Sequence, residues 1–315
     1  MRAATIRDGE LHVLEHPDPE PGAGEVLVRV RAAGLNGADM HQLRGRYPAP
    51  PGVPADIPGL ELAGEVVAVG PRADRFAAGD RVMAIVGGGG QAELAIVHER
   101  VLMPVPDVLS WDEAGGVPEV FTTAHDAIIT QAGLKPGEHL LVHGAAGGVG
   151  TAAVQLGHAL GARVTATVRN PELRDGVAAF GADAIDPAGF GEHGPFDVIL
   201  ELVGAPNLSD NLVALAGGGR IAVIGIGGGA KGELNMALLL AKRLRIFGST
   251  LRPRPLEEKA LTARALERSV LPFLAAGTLK VPVAATYALD QVSEAYARFT
   301  AGGKLGKIIL RMPGD

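Results

Sequence analysis

The stretch 139–160 reads HLLVHGAAGGVGTAAVQLGHAL, and its parts come in the order strand, glycine turn, helix. Residues 139–143 form a short apolar run of the buried-strand type. Gly144-Ala145-Ala146-Gly147-Gly148-Val149-Gly150 turns the chain, and 151–160 has an apolar helical pattern. Glycines let a backbone turn sharply and come close to a phosphate. The helix start then offers free N–H groups and the positive end of its dipole. The spacing is G-x-x-G-x-x-G, not the commoner G-x-G-x-x-G, but the strand–turn–helix context is the one a dinucleotide's pyrophosphate requires.

Working outward, the same alternation continues downstream. Strand patterns at 163–168, 183–185, 197–202, 220–226 and 244–248 alternate with helices at 171–180, opened by Pro171, and at 207–215. Such alternation predicts a doubly wound parallel sheet with helices on both faces. Upstream, the first 110 residues read differently. Segments 3–6 and 10–14 flank an Asp8-Gly9 turn, a strong hairpin signal. Residues 25–33 (EVLVRVRAA) alternate apolar and polar side chains, and 64–69, 81–86 and 91–97 are further short strand patterns. Strands at this spacing predict a small β-barrel or sandwich. After Arg252 come a helix at 256–275, a strand at 283–287, a helix at 289–300 and a strand at 307–310.

Composition narrows the function. The chain has 315 residues and a net charge of −6, with no basic stripe of the kind that binds nucleic acid. It has no cysteine, which removes disulfides, thiolate catalysis and every cysteine-containing zinc site. No run of eighteen apolar residues suits a membrane span, and no signal-peptide pattern opens the chain, so the expected location is cytoplasmic.

The second strand of the predicted sheet ends Thr165-Ala166-Thr167-Val168-Arg169-Asn170. A carboxylate about 20 residues beyond the glycine turn would hold the ribose 2′-hydroxyl of NAD. None is present, and Arg169 stands in its place, with Arg174 a second candidate one turn further on. A guanidinium fork suits a 2′-phosphate, so the residues predict NADPH.

At this point the sequence resembles the medium-chain dehydrogenase/reductase superfamily, and within it the zinc-free quinone oxidoreductases of the zeta-crystallin kind. The resemblance rests on AGLNGADMHQLRGRY (33–47), IPGLELAGEVVAVG (57–70), GVPEVFTTAHDA (116–127), LKPGEHLLVHGAAGGVG (134–150) and GKLGKIIL (303–310). It implies an α/β chain: a GroES-like β-barrel catalytic domain from 1–120 and 249–315, with a Rossmann domain at 121–248 inserted into it and the active cleft between the two. Zinc-dependent relatives have a cysteine where this chain has Asn36, and Gly-His-Glu where it has Gly59-Leu60-Glu61. No metal site is therefore expected.

The resemblance also implies roles. Asn36 and Tyr47 would donate hydrogen bonds to the oxygen that becomes negative on hydride transfer. Thr123 would lie near the nicotinamide. Asp39 and Arg44 would orient their loop as an ion pair, and Glu61 would have a structural partner. Cofactor contacts carried over are Gly147, Gly148, Val149, Val203, Gly204, Gly225, Ser249 and Lys307. Where many relatives read Ser-Ser-Pro-Glu-Lys, this chain reads Arg169-Asn170-Pro171-Glu172-Leu173, so Arg169 or Arg174 takes over from the lost lysine. An adenine-side tyrosine of relatives falls at Pro187 or Phe190.

The expected activity is zinc-independent, NADPH-dependent reduction of quinones. Alternatives are reduction of activated alkenes (an enal, enone or enoyl thioester) and an idle NADPH-binding protein. A homodimer is expected, paired through the edge strand at 243–248 of the inserted sheet. The partner is a small molecule, with no nucleic acid or membrane.

Overall fold

The computed structural model describes residues 1–314, and they divide into two compact units. One comprises Met1–Thr122, Leu251–Gly302 and 307–314; the other comprises Thr123–Thr250 and Gly303–Gly306.

The first unit opens with the hairpin β1 (Arg2–Arg7) and β2 (Glu10–Glu15), antiparallel about Asp8 and Gly9. Then come β3 (Glu25–Gly34), β4 (Glu61–Val69), β5 (Arg81–Ile85), β6 (Leu94–His98) and β7 (Met103–Pro104). β3 is the hub, antiparallel to both β4 and β6. Its alternating residues Val26, Val28, Val30 and Ala32 are wholly buried, as the period of two in the sequence requires.

The second unit carries β8 (His139–Val142), β9 (Arg163–Thr167), β10 (Asp183–Ile185), β11 (Phe196–Glu201), β12 (Leu215–Val223) and β13 (Arg245–Gly248). All pair in parallel, in the order β10-β9-β8-β11-β12-β13. Counted within this unit, that is 3-2-1-4-5-6, the doubly wound order that binds dinucleotides where the order reverses. The turn after β8 lies at that reversal.

The chain then returns to the first unit for β14 (Val283–Ala288) and β15 (Lys307–Arg311). β15 runs parallel to β14 and antiparallel to the end of β3, completing a seven-stranded sheet. Val28, Val30, Leu62, Val82, Ile308 and Leu310 meet in its core. Among the described residues no helix is long and apolar enough to cross a membrane.

Two predicted helices are corrected. The helix at 256–275 is broken into Leu256–Ser269 and Leu271–Ala275, with Val270 off helical geometry at φ −122°. Pro272 lacks an N–H and its ring collides with the carbonyl four residues back, so it can open a helix but not continue one. The helix at 171–180 becomes a 3₁₀ turn, Pro171–Leu173, followed by the short helix Arg174–Ala178.

Candidate active site

In the inserted unit the glycine turn feeds the twelve-residue helix Gly148–Ala159. Gly147 is its N-cap, and no side chain caps the helix start. Gly150 is needed for packing: a Cβ there would lie 2.6 Å from Ala145 Cα and 2.7 Å from Gly144 O, which presses the turn onto the helix. Gly147 is different. Its φ of −75° suits any residue, and a Cβ would meet only Gly144 O at 3.5 Å. The uncapped N-terminal donors of Gly148 and Val149, at the reversal of strand order, fit a pyrophosphate.

Arg169 follows β9, is exposed, and has no ion pair or hydrogen bond among the described residues. Arg174 is committed elsewhere: its Nε donates to Val168 O at 3.1 Å and its Nη2 bonds Asp186. Of the two candidates for a 2′-phosphate, Arg169 is the one whose fork is uncommitted. Phe190 is buried and packs edge-on against His143, and Pro187 is partly exposed.

The loop after β11 corrects two expected contacts. Glu201 Oε1 accepts the backbone N–H groups of Val203 at 2.7 Å and Gly204 at 2.8 Å, so neither donor is left for a ligand. Gly225 N–H goes to Glu201 O at 3.0 Å. The other oxygen of Glu201 accepts from Asn211 at 2.8 Å, and Asn211 Oδ1 lies 2.8 Å from His143 Nε2. Thr167 Oγ1 meets His143 Nδ1 at 3.0 Å. Since Asn211 Oδ1 can only accept, His143 carries a proton on Nε2. Burial lowers its pKa. Ser249, the other expected contact here, donates its hydroxyl to Asp126 at 3.0 Å and accepts from Gln131 at 2.9 Å. Thr123 is buried near the end of the helix Pro118–Ala124, not at the start of a helix.

In the first unit the decisive cluster is buried and ionic. Lys307 Nζ donates to Glu61 Oε1 at 2.6 Å, to Leu35 O at 2.8 Å and to Asn36 Oδ1 at 2.8 Å. Those are all three ammonium protons, so Lys307 is a scaffold residue and not a cofactor contact. Asn36 is corrected for the same reason. Its amide donates to Glu61 Oε1 at 2.9 Å and Gly34 O at 3.2 Å, which leaves it no donor for a substrate oxygen. Glu61 Oε2 accepts from Glu119 N–H at 2.8 Å.

Asp39 makes no ion pair with Arg44, which is exposed. Its carboxylate accepts instead from the backbone of Asn36 at 2.8 Å and of Gly59 at 3.2 Å, holding the start of the helix Gly37–Leu43. Burial pushes its pKa up to about 6 against those bonds.

Tyr47 lies in an irregular loop and is half-buried. Its hydroxyl has no hydrogen bond among the described residues, and burial pushes its pKa above the ordinary 10.0. A cavity of about 490 Å³ opens in the same unit against Gly87–Gly89, with Val53, Ile85 and Lys259 among its walls. Arg252, which carried no signal in the sequence, is 4% exposed beneath Tyr47. Glu201 and His143 were also missed as functional groups, because each reads as one polar residue at the end of an apolar strand. Among the described residues no group of three or more His, Asp or Glu side chains is arranged to hold a metal.

Two family models match the chain: the alcohol dehydrogenase GroES-like domain over residues 22–107 and the zinc-binding dehydrogenase domain over 148–267. A human quinone oxidoreductase is 34% identical over 305 residues, covering 93% of this chain and 90% of that protein. The polyketide synthase GfsB of Streptomyces halstedii is 34% identical over 296 residues, covering 92% of this chain and 5% of that protein. Among solved structures, an NAD-dependent alcohol dehydrogenase superposes with a TM-score of 0.87 at 30% identity, over 99% of this chain and 100% of that one.

Proposed function

The chain belongs to the quinone oxidoreductase-like branch of the medium-chain dehydrogenase/reductase superfamily, nicotinamide-dependent oxidoreductases of small molecules, and from that premise we propose that it reduces quinones with NADPH and without zinc. The observation that carries the substrate class is the match to human quinone oxidoreductase along 93% of the chain. Arg169, exposed after β9 with no carboxylate beside it in 165–170, supports the 2′-phosphorylated cofactor.

When bound, the nicotinamide supplies the hydride. The open N–H groups of Gly148 and Val149 would hold the pyrophosphate, with Gly147 leaving room for it as the N-cap. By the resemblance, Thr123 would lie near the nicotinamide. Tyr47 is the residue that meets the substrate oxygen. Its raised pKa keeps the phenol protonated at neutral pH, so it can donate a hydrogen bond and then a proton to an oxygen gaining negative charge. Asn36, Glu61 and Lys307 form the rigid floor of the first unit and take no part in proton transfer. The zinc ligands of metal-dependent relatives are replaced by Asn36 and the buried Leu60, neither of which can hold zinc.

A second reading, reduction of an activated alkene, is favoured by the match to a polyketide synthase over 92% of this chain. Both reactions deliver hydride to an electron-poor conjugated system. NADPH oxidation with a simple quinone, an enone and an enoyl thioester separates them: a quinone turned over at least as well as the others upholds the first reading. Tyr47→Phe tests the donor. Losing one oxyanion donor costs up to ~10²–10³ in turnover, and an easily reduced quinone should lose about tenfold by the same principle.

A further inference from the structure

Tyr47 belongs to no helix or strand, so its pose depends on what ties its loop down. Backbone bonds from Gly45 and Arg46 hold the residues before it, and one side chain reaches Tyr47 itself. Arg252 Nη1 donates to Tyr47 O at 2.9 Å, and its guanidinium stands 4.9 Å from the centre of the Tyr47 ring. Its Nε donates to Gly87 O at 2.7 Å and its Nη2 to Gln42 Oε1 at 2.6 Å. Gln42 completes the clamp by donating to Ala55 O at 3.1 Å, further along the Tyr47 loop. One guanidinium thus joins the Gly37–Leu43 helix, the Tyr47 loop and the glycine turn at 87–90.

All three of its acceptors are neutral. No carboxylate of the described residues forms an ion pair with Arg252, although it is 4% exposed. A buried cation without a counter-ion is costly to desolvate, and its three hydrogen bonds offset part of that cost. The charge faces an aromatic ring that carries an ionisable hydroxyl.

We propose that Arg252 is the positioning residue of Tyr47: it fixes the phenol in place and supplies the positive charge that balances the phenolate left when Tyr47 has given its proton to the reduced substrate. The inference rests on the reading of Tyr47 as the proton donor. In the step, the substrate accepts hydride from the reduced nicotinamide and its oxygen becomes negative. The Tyr47 Oη–H bond breaks and an O–H bond forms on that oxygen. Solvent then returns a proton to the phenolate. Two charged groups act on the phenol: Arg252 lowers its pKa and Glu119 raises it, while burial raises it most. Arg252 itself feels Tyr47, Asp39 and Glu119.

The test is an ultraviolet titration of the phenol, taken as the difference between each protein and its Tyr47→Phe counterpart, in the wild-type and Arg252→Gln backgrounds. Removing a cation this close should raise the Tyr47 pKa by about one unit, and Arg252→Lys should bring it back toward wild type. An unchanged titration in folded Arg252→Gln overturns the proposal. Turnover gives a second readout. Arg252→Gln should lower kcat on an enone about tenfold, in proportion to the loss of one preorganised contribution, with the KM for NADPH unchanged. It should add nothing further in the Tyr47→Phe background. Additive losses in the double variant overturn the proposal. If Arg252→Gln does not fold, Arg252→Lys keeps the charge but not the fork, and full turnover by that variant also overturns it. Full turnover by Tyr47→Phe would sink the donor reading alone, while the titration still decides whether Arg252 governs the phenol.

Discussion

The two units hold their candidate site residues by different means. The first unit uses buried ions: Lys307 against Glu61, Asp39 on backbone donors, and Arg252 against neutral acceptors. The inserted unit adds glycines, open helix donors and a hydrogen-bonded network in which the buried Glu201 carboxylate accepts from Asn211 and from backbone N–H groups. Buried charges fix side chains in one pose because every alternative leaves a charge unpaired. Backbone donors leave the surface free of side chains, so a phosphate can approach closely. The comparison teaches that one unit fixes its candidate side chains through buried charge, while the other leaves backbone donors open at a helix start. Each of the following outcomes breaks or sharpens it.

The largest effect is expected in the first unit. Lys307→Met strands the fully buried Glu61 carboxylate and should cost about 3–5 kcal/mol, read as a fall in the denaturant midpoint. Lys307→Met with Glu61→Leu should recover part of that loss. If the double variant is as unstable as the single one, the ion pair is not what holds this unit.

Next is cofactor choice in the inserted unit. A charge-assisted contact is worth roughly 1.5–3 kcal/mol, at about 1.4 kcal/mol per decade. Arg169→Ala should therefore weaken NADPH by one to two decades and leave NADH nearly unchanged, measured by fluorescence titration. Equal weakening of both would remove Arg169 from the 2′-phosphate.

Two glycines of one turn should then behave differently. Gly150→Ala forces a Cβ into the backbone of Ala145 and should cost roughly 1–3 kcal/mol of stability. Gly147→Ala meets no such obstacle and should change stability by about 0.5 kcal/mol or less, while weakening the dinucleotide. Thermal unfolding with and without NADPH distinguishes the two. A Gly147→Ala protein that binds as well as wild type would mean that the pyrophosphate does not lie on this turn.

The smallest effect is on pH, and its sign differs between the units. Burial lowers the pKa values of His125, His139 and His143, all in the inserted unit, below the ordinary 6.5. Below 6.5 the unfolded chain takes up protons that the folded unit refuses. That stability is complete above 6.5 and is lost as pH falls below it. Asp39 works the other way. With a folded pKa of about 6 against 3.8, its contribution is complete below 3.8 and is lost as pH rises through about 6. Hydrogen exchange from pH 7 to pH 5 should lower protection in β8–β12 and spare the Gly37–Leu43 helix. Equal loss in both units would erase the contrast.

Much of this was legible in the chain because it is local. The order of strand, glycine turn and helix at 139–160 determined the doubly wound sheet, since glycine and periodicity act over a few residues. The absent carboxylate in 165–170, read in the same local way, supports the proposal of NADPH, and Asn36 and Leu60 read directly as residues that cannot hold zinc. What the sequence could not express is which donors are already spent. Asn36 spends its amide protons on Glu61 and Gly34, and Lys307, 271 positions away, spends its three on Glu61, Leu35 and Asn36 Oδ1, which takes both from the roles expected of them. Ser249 lost its hydroxyl to Asp126 in the same way, and Val203 and Gly204 lost their donors to Glu201 nearby, once the fold turned that carboxylate back onto its own loop. Arg252 had no local pattern at all, and it became the clamp on Tyr47 only when β-sheet pairing and the packing of the Gly37–Leu43 helix brought Gln42, Tyr47 and Gly87 around it. Hydrogen-bond satisfaction depends on every group within about 3 Å in space, and only the tertiary structure decides which groups those are.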